Sequence, residues 1–218
     1  MTPIVVSRVG ASHDGGAAAG YASASHIRQL LRQGDGDAAL AFLPPGAVEV
    51  LRRELAAGRI ADGALVERAI LARLRQMTEE EFAAYDGGGE GLYHRVYDAV
   101  RRCTTVEELL AAVKTKRYTA ARLRRMLLSA WLGLPKVPEA VPYVRVLAAN
   151  ETGRALLRQM RKAGAPVLAK AADVAALGSG AEALFRREAG YTDLYTLAYA
   201  DLAQAVPGSD WRLTPVMK

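Results

Sequence analysis

The sequence predicts a mainly α-helical protein with a small α/β component. Three observations carry that prediction. Apolar residues recur at helical spacing through most of the span from Ala47 to Ala200, and capping signals precede those runs. β-like runs are confined to short segments beginning near Thr2 and Val141. The composition, 51% hydrophobic, 24% charged and 6% aromatic over 218 residues, is that of a globular chain with a substantial core.

Element by element, Thr2 to Val9 reads as a short buried strand, because Ile4, Val5, Val6 and Val9 flank only Ser7 and Arg8. His13 to Gly20, rich in Gly and Ala, reads as a loop. Ser23 and Ser25 offer cap hydroxyls to a helix through Ile27, Leu30 and Leu31 that Gly34 stops. After Pro44 and Pro45 a helix is expected over Ala47 to Ala57, and Asp62 caps a second over Gly63 to Met77. Thr78 with Glu81, and Thr105 with Glu108, form capping boxes. Leu92, Val96, Val100 and Cys103 fall at helical spacing after the Asp86 to Gly89 loop, and Cys103 reads as a core residue. Thr119 caps a helix whose Leu123, Met126, Leu127, Ala130 and Trp131 make one apolar stripe, ended by Gly133 and Pro135. Val141 to Ala148 is β-like, a helix follows from Glu151 to Ala163, and Pro166 to Leu168 forms a second strand, which together make a small β-α-β unit with a parallel pair. Helices through Ala181 to Ala189 and Thr192 to Ala200 precede an irregular tail in which Trp211 packs back.

Composition also excludes several classes. The longest uncharged stretches, Ala38 to Val48 and Met126 to Pro135, fall short of the roughly 18 apolar residues a membrane span needs. No signal segment opens the chain and Cys103 is the single cysteine, so the expected setting is a reducing cytoplasm, with no internal disulfide and no cysteine metal cluster. His13, His26 and His94 show no metal-ligand spacing, Asp14 reads as a turn residue, and no protein metal site is expected.

Charge is informative where it is concentrated. The net charge is +6, and the acid-free run Lys114 to Arg125 holds six cations, so the remaining 23 cations match the 23 acids. Lys114, Lys116 and Arg117 precede the helix cap, Arg122 and Arg125 lie one turn apart, Arg124 points elsewhere, and Tyr118 offers a stacking face for an unpaired base. The segment reads either as an RNA or phosphate site or as a solvated helix start. Ser23, Ser25 and Arg28 likewise read as simple caps or as a phosphate cradle at a helix N-terminus.

These motifs together resemble a known family. The strings Ser23-Ala-Ser-His-Ile-Arg28, Glu90-Gly-Leu92, Lys114-Thr-Lys-Arg-Tyr-Thr119 with Arg122 and Arg125, Pro142-Tyr-Val-Arg-Val-Leu147, Gly153, and Thr192-Asp-Leu-Tyr195 occur in the order and spacing of the C-terminal part of bacterial tRNA(Met) cytidine acetate ligases, which are HIGH-type nucleotidyltransferases. The resemblance implies an enzyme that activates acetate with ATP, accompanied by Mg2+, as acetyl-adenylate. It then acetylates N4 of the wobble cytidine of elongator tRNA(Met). Ser23, Ser25 and Arg28 would bind ATP, and Lys114, Lys116, Arg117, Tyr118, Arg122 and Arg125 would bind tRNA. Residues 1–35 would be the last strand and helix of a Rossmann-like nucleotidyltransferase domain, and 36–218 a mainly helical tRNA-binding region. No His-x-Gly-His motif occurs in the sequence, so the catalytic residues stay unassigned. The expectation is that the other strands lie upstream of Met1 and that this chain alone is inactive. A non-catalytic RNA-binding module and a helical protein-interaction scaffold are the alternatives.

Overall fold

The computed structural model describes residues 4–6, 10, 16–18, 20–87, 91–134 and 140–218. The chain forms two compact units, Met1–Gly58 and Arg59–Lys218.

In the first unit, β1 (Ala17–Ala18) pairs antiparallel with β2 (Tyr21–Ala22). Helices α1 (Ala24–Arg32), α2 (Gly36–Leu40) and α3 (Pro45–Ala56) follow. Gly34, at φ +79°, adopts the left-handed backbone that ends α1, and the Asp35 carboxylate accepts the Ala38 N–H at 3.2 Å to start α2. Ala39 and Leu40 of α2 are buried. The expected strand at Thr2 to Val9 does not form where it is described: Ile4, Val5 and Val6 are irregular and 90%, 88% and 85% exposed. A strand exists only through its ladder to a neighbour, and no described segment pairs with these residues. β1 of this short hairpin lies inside the stretch read as a loop, His13 to Gly20, and β2 just beyond it. His13 and Asp14 fall outside the described residues.

The second unit begins with helices α4 (Gly63–Gln76), α5 (Glu79–Ala83), α6 (Leu92–Val100), α7 (Val106–Val113) and α8 (Ala120–Leu132) around one core. Leu74, Phe82, Leu92, Val96, Leu109 and Leu123 are all fully buried there, and Cys103 packs partly buried against them. Both expected capping boxes are present: Thr78 with Glu81 opens α5, and Thr105 with Glu108 opens α7. Glu108 accepts from Thr104 and Thr105, and those hydrogen bonds hold its carboxyl below the usual range.

A second core follows in the same unit. β3 (Val144–Arg145) pairs parallel with β5 (Val167–Leu168), and α9 (Glu151–Lys162) lies between them in sequence, which is the expected β-α-β unit. β4 (Ala148–Ala149) pairs parallel with β6 (Val216–Met217) in the tail, where the sequence suggested no order. A 3-10 helix over Ala171–Leu177 leads into α10 (Ser179–Thr196). Two helices were expected across α10, broken near Gly190; one continuous helix is found, and Gly190 is not among the glycines with positive φ. A mid-helix glycine costs about 1 kcal/mol relative to alanine, which packing on Ala181, Phe185 and Ala189 outweighs. After a 3-10 turn at Leu202–Gln204, the short α11 (Ser209–Arg212) brings Trp211 edge-on to Phe185 at 4.8 Å.

Candidate nucleotide and RNA-binding surfaces

In the first unit the site is the N-terminus of α1. Ser23, only 2% exposed, is the N-cap, and its hydroxyl accepts the His26 N–H at 3.1 Å. That hydroxyl is therefore committed to the helix start. Ser25, one residue into the helix, accepts from the Arg28 guanidinium at 3.3 Å, and both side chains are exposed. The contact keeps Arg28 folded back over the first turn, where backbone N–H groups and the positive dipole end also face solvent. The first turn carries no acidic residue. A guanidinium and a helix N-terminus at one place suit an anion such as a phosphate.

In the second unit the cationic run wraps the start of α8. Thr115 accepts the Tyr118 N–H at 3.0 Å and donates its own N–H to the Tyr118 carbonyl at 3.2 Å, closing a tight turn; Thr119 then caps α8. This turn drives Tyr118 inward. Its ring is 6% exposed and belongs to the larger core, with the Arg117 and Arg122 guanidinium carbons 5.8 and 5.4 Å from its centroid. The expectation that Tyr118 presents a stacking face is thus corrected: the ring is a platform beneath two arginines, not an open surface.

Arg122 also departs from the simple picture. It donates to the carbonyl of Asp86 at 3.1 Å and to its carboxylate at 3.4 Å. Asp86 is 4% exposed and its other carboxylate oxygen accepts the Leu92 N–H at 3.1 Å, so it ties the start of α6 to α8. The acid missing from the run arrives from a loop 36 residues away. Lys114, Lys116, Arg117, Arg124 and Arg125 remain exposed. Arg122 and Arg125 both line a cavity of about 450 Å³ with Tyr85, Gly87 and Ser129. Nothing local in the sequence marks Asp86 as the anchor, because its partners are distant.

The strings Pro142 to Leu147 and Thr192 to Tyr195 meet in a buried polar knot. Arg145 pairs with Asp210 at 2.7 Å, Thr192 donates to the same carboxylate, and Tyr143 donates to Glu188. Asp193 accepts the Gly208 N–H at 2.7 Å. These residues join β3, α10 and α11, which makes them architectural. Val144, Leu147 and Tyr195 of these strings stay exposed. Glu90 lies outside the described residues. Among the described residues no group of three or more His, Cys, Asp or Glu side chains is placed to hold a metal ion, and no helix is long and apolar enough to cross a membrane.

Residues 1–208 match the HIGH Nucleotidyl Transferase family. The chain belongs to the HIGH nucleotidyltransferases. Curated relatives of this HIGH nucleotidyltransferase include the tRNA(Met) cytidine acetate ligase of Syntrophomonas wolfei, 26% identical over 230 residues covering 99% of this chain and 55% of the relative. That of Kosmotoga olearia is 34% identical over 170 residues, 74% of this chain and 40% of the relative. Among solved structures, apo Thermotoga maritima TmcAL superposes with a TM-score of 0.88 at 24% identity, covering 97% of this chain and 54% of that one. TmcAL of the same organism bound with alpha-thio ATP superposes at 0.83 and 23% identity, covering 91% and 52%. These likenesses establish a common fold. The HIGH nucleotidyltransferase chain spans about half the length of the curated relatives it matches.

Proposed function

We propose that this chain carries the phosphate-contacting helix and the tRNA-binding region of an ATP-dependent ligase that acetylates N4 of the wobble cytidine in elongator tRNA(Met), in the cytoplasm. The observation that carries the reading is the S. wolfei alignment: a protein named for this reaction matches 99% of the chain, so the Ser23–Arg28 helix start and the cationic run at Lys114–Arg125 both lie inside the matched span. In the first step an acetate oxygen attacks the α-phosphorus of ATP, pyrophosphate leaves, and acetyl-adenylate forms. In the second, the cytidine N4 attacks the acetyl carbonyl, AMP leaves, and the nitrogen loses a proton. Arg28 contacts the ATP phosphates, while Ser23 and Ser25 hold the helix start that presents it. The first turn of α1 has no carboxylate, so it would offer an accompanying Mg2+ no acidic ligand. Lys114, Lys116, Arg117 and Arg125 grip the tRNA backbone, with Arg122 set by Asp86 at the rim of the cavity.

A guanidinium alone does not lower an adenylation barrier without groups that position the reacting phosphate. With no His-x-Gly-His in its sequence, this chain binds ATP and tRNA but does not transfer acetate by itself. The test is equilibrium binding of ATP and of tRNA(Met), run beside incorporation of labelled acetate. Both ligands bind, Arg28→Ala weakens ATP about tenfold, equivalent to one charge-assisted contact, and no acetyl group is incorporated. Failure of both ligands to bind contradicts the proposal. The missing motif also favours a second reading, a non-catalytic RNA-binding module; tRNA binding without ATP binding selects it.

A further inference from the structure

Helix α9 carries a second field of positive charge that net-charge counting conceals. Arg154, Arg158, Arg161 and Lys162 stand at i, i+4, i+7 and i+8, so they share one stripe, and all four are exposed. None makes a hydrogen bond or ion pair through its side chain with another described residue. The single acid of the helix, Glu151, is at its N-terminal end. Favourable interaction with the helix dipole accounts for Arg161 and Lys162 in the last turn but not for Arg154 in the first half. Gly153, Leu156, Leu157 and Met160 occupy the opposite face, which lies toward β4 and β5 of the same unit and borders an apolar cavity of about 840 Å³. No residue of the helix is fully buried and Leu156 is 56% exposed, so the apolar side borders an open groove while the cations stand on the other side.

We infer that the Arg154–Lys162 face of α9 is a second phosphate-binding surface for folded RNA, distinct in sequence from the Lys114–Arg125 run; this rests on the tRNA reading above. The eight residue steps from Arg154 to Lys162 rise about 12 Å, the axial run of roughly three to four phosphates on one strand of a duplex. Four like charges so spaced match a phosphate ridge, whereas a merely solvated face mixes signs. An arginine-rich amphipathic helix also matches a membrane-surface element; the tRNA reading of the same chain favours RNA, and the vesicle arm of the test below decides between them.

The test uses the full chain with Arg154→Gln/Arg158→Gln/Arg161→Gln, all at exposed positions that glutamine fills without loss of helix propensity, and measures tRNA affinity across a salt series. The log–log slope is expected to fall by about 2 to 3, since each phosphate contact contributes about 0.9 on duplex. The corresponding lysine triple is expected to keep the wild-type slope, which separates charge from helix integrity. An unchanged slope in the glutamine triple, with a lowered one in Lys116→Gln/Arg125→Gln, overturns this inference and leaves the proposed function standing. A salt-independent wild type removes both. Loss of binding to phosphatidylserine vesicles by the glutamine triple, with tRNA binding intact, overturns it in favour of a membrane surface.

Discussion

Tyr143 is buried in the smaller core with its hydroxyl donated to Glu188, and burial, reinforced by that carboxylate, pushes its phenol above the ordinary range. The folded state thus favours the neutral phenol. Stability from this group is fully present below the unfolded pKa of about 10 and is lost as pH rises above it, because the unfolded chain ionises first. Urea midpoints are expected to drop above about pH 10 in the wild type and to drop less in Tyr143→Phe; equal losses in the two proteins contradict this assignment. Nearby, Asp210 is 6% exposed and holds both Arg145 and Thr192. Asp210→Ala is expected to cost about 2 to 3 kcal/mol, less than the roughly 3 to 5 of a fully buried pair because Arg145 still meets water. Fluorescence of Trp211, which packs on Phe185 beside this knot, reports the loss in a denaturant titration. A cost under about 0.5 kcal/mol would place the knot among surface pairs.

At the scale of elements, what the sequence revealed was local. Ser23, Thr78, Thr105 and Thr119 cap helices because an N-cap needs only partners two or three residues away, and each was legible for that reason. The β3–β5 pair was legible because its crossover is a single amphipathic helix. The β4–β6 pair was not, since a two-residue strand in the tail has no pattern of its own and is defined by its distant neighbour. Ile4 to Val6 have the pattern but no neighbour among the described residues. Tyr118 misled because aromatic and basic residues interleave there, while the Thr115 turn that buries the ring is a structural fact. The two helices expected at Ala181 to Ala189 and Thr192 to Ala200 are one, running through Gly190. Outside its own helix, nothing lies within 4 Å of where its Cβ would be, so Gly190→Ala is expected to stabilise the protein by about 0.4 to 1 kcal/mol in thermal or urea unfolding. A destabilised variant indicates that α10 needs a break at that position.

Over the whole molecule, the candidate surfaces fall in different compact units, the start of α1 in one and the cationic surfaces of α8 and α9 in the other. Sequence reasoning singles out the α1 start and the Lys114–Arg125 run as candidates because both are runs of adjacent residues. It missed Asp86 and the α9 stripe for different reasons: the partners of Asp86 are remote, and the cations of α9 were hidden by a balanced count over the rest of the chain. On the proposed function, exposed cations of the second unit hold tRNA through its backbone. The most direct measurement of this is the salt dependence of tRNA affinity for the wild type and for Lys116→Gln/Arg125→Gln, two exposed side chains outside the Asp86 clamp. The wild type is expected to show a steep slope that falls in magnitude by about 2 in the double variant, nearly uniformly across RNA sequences. The same slope for both proteins would contradict this reading.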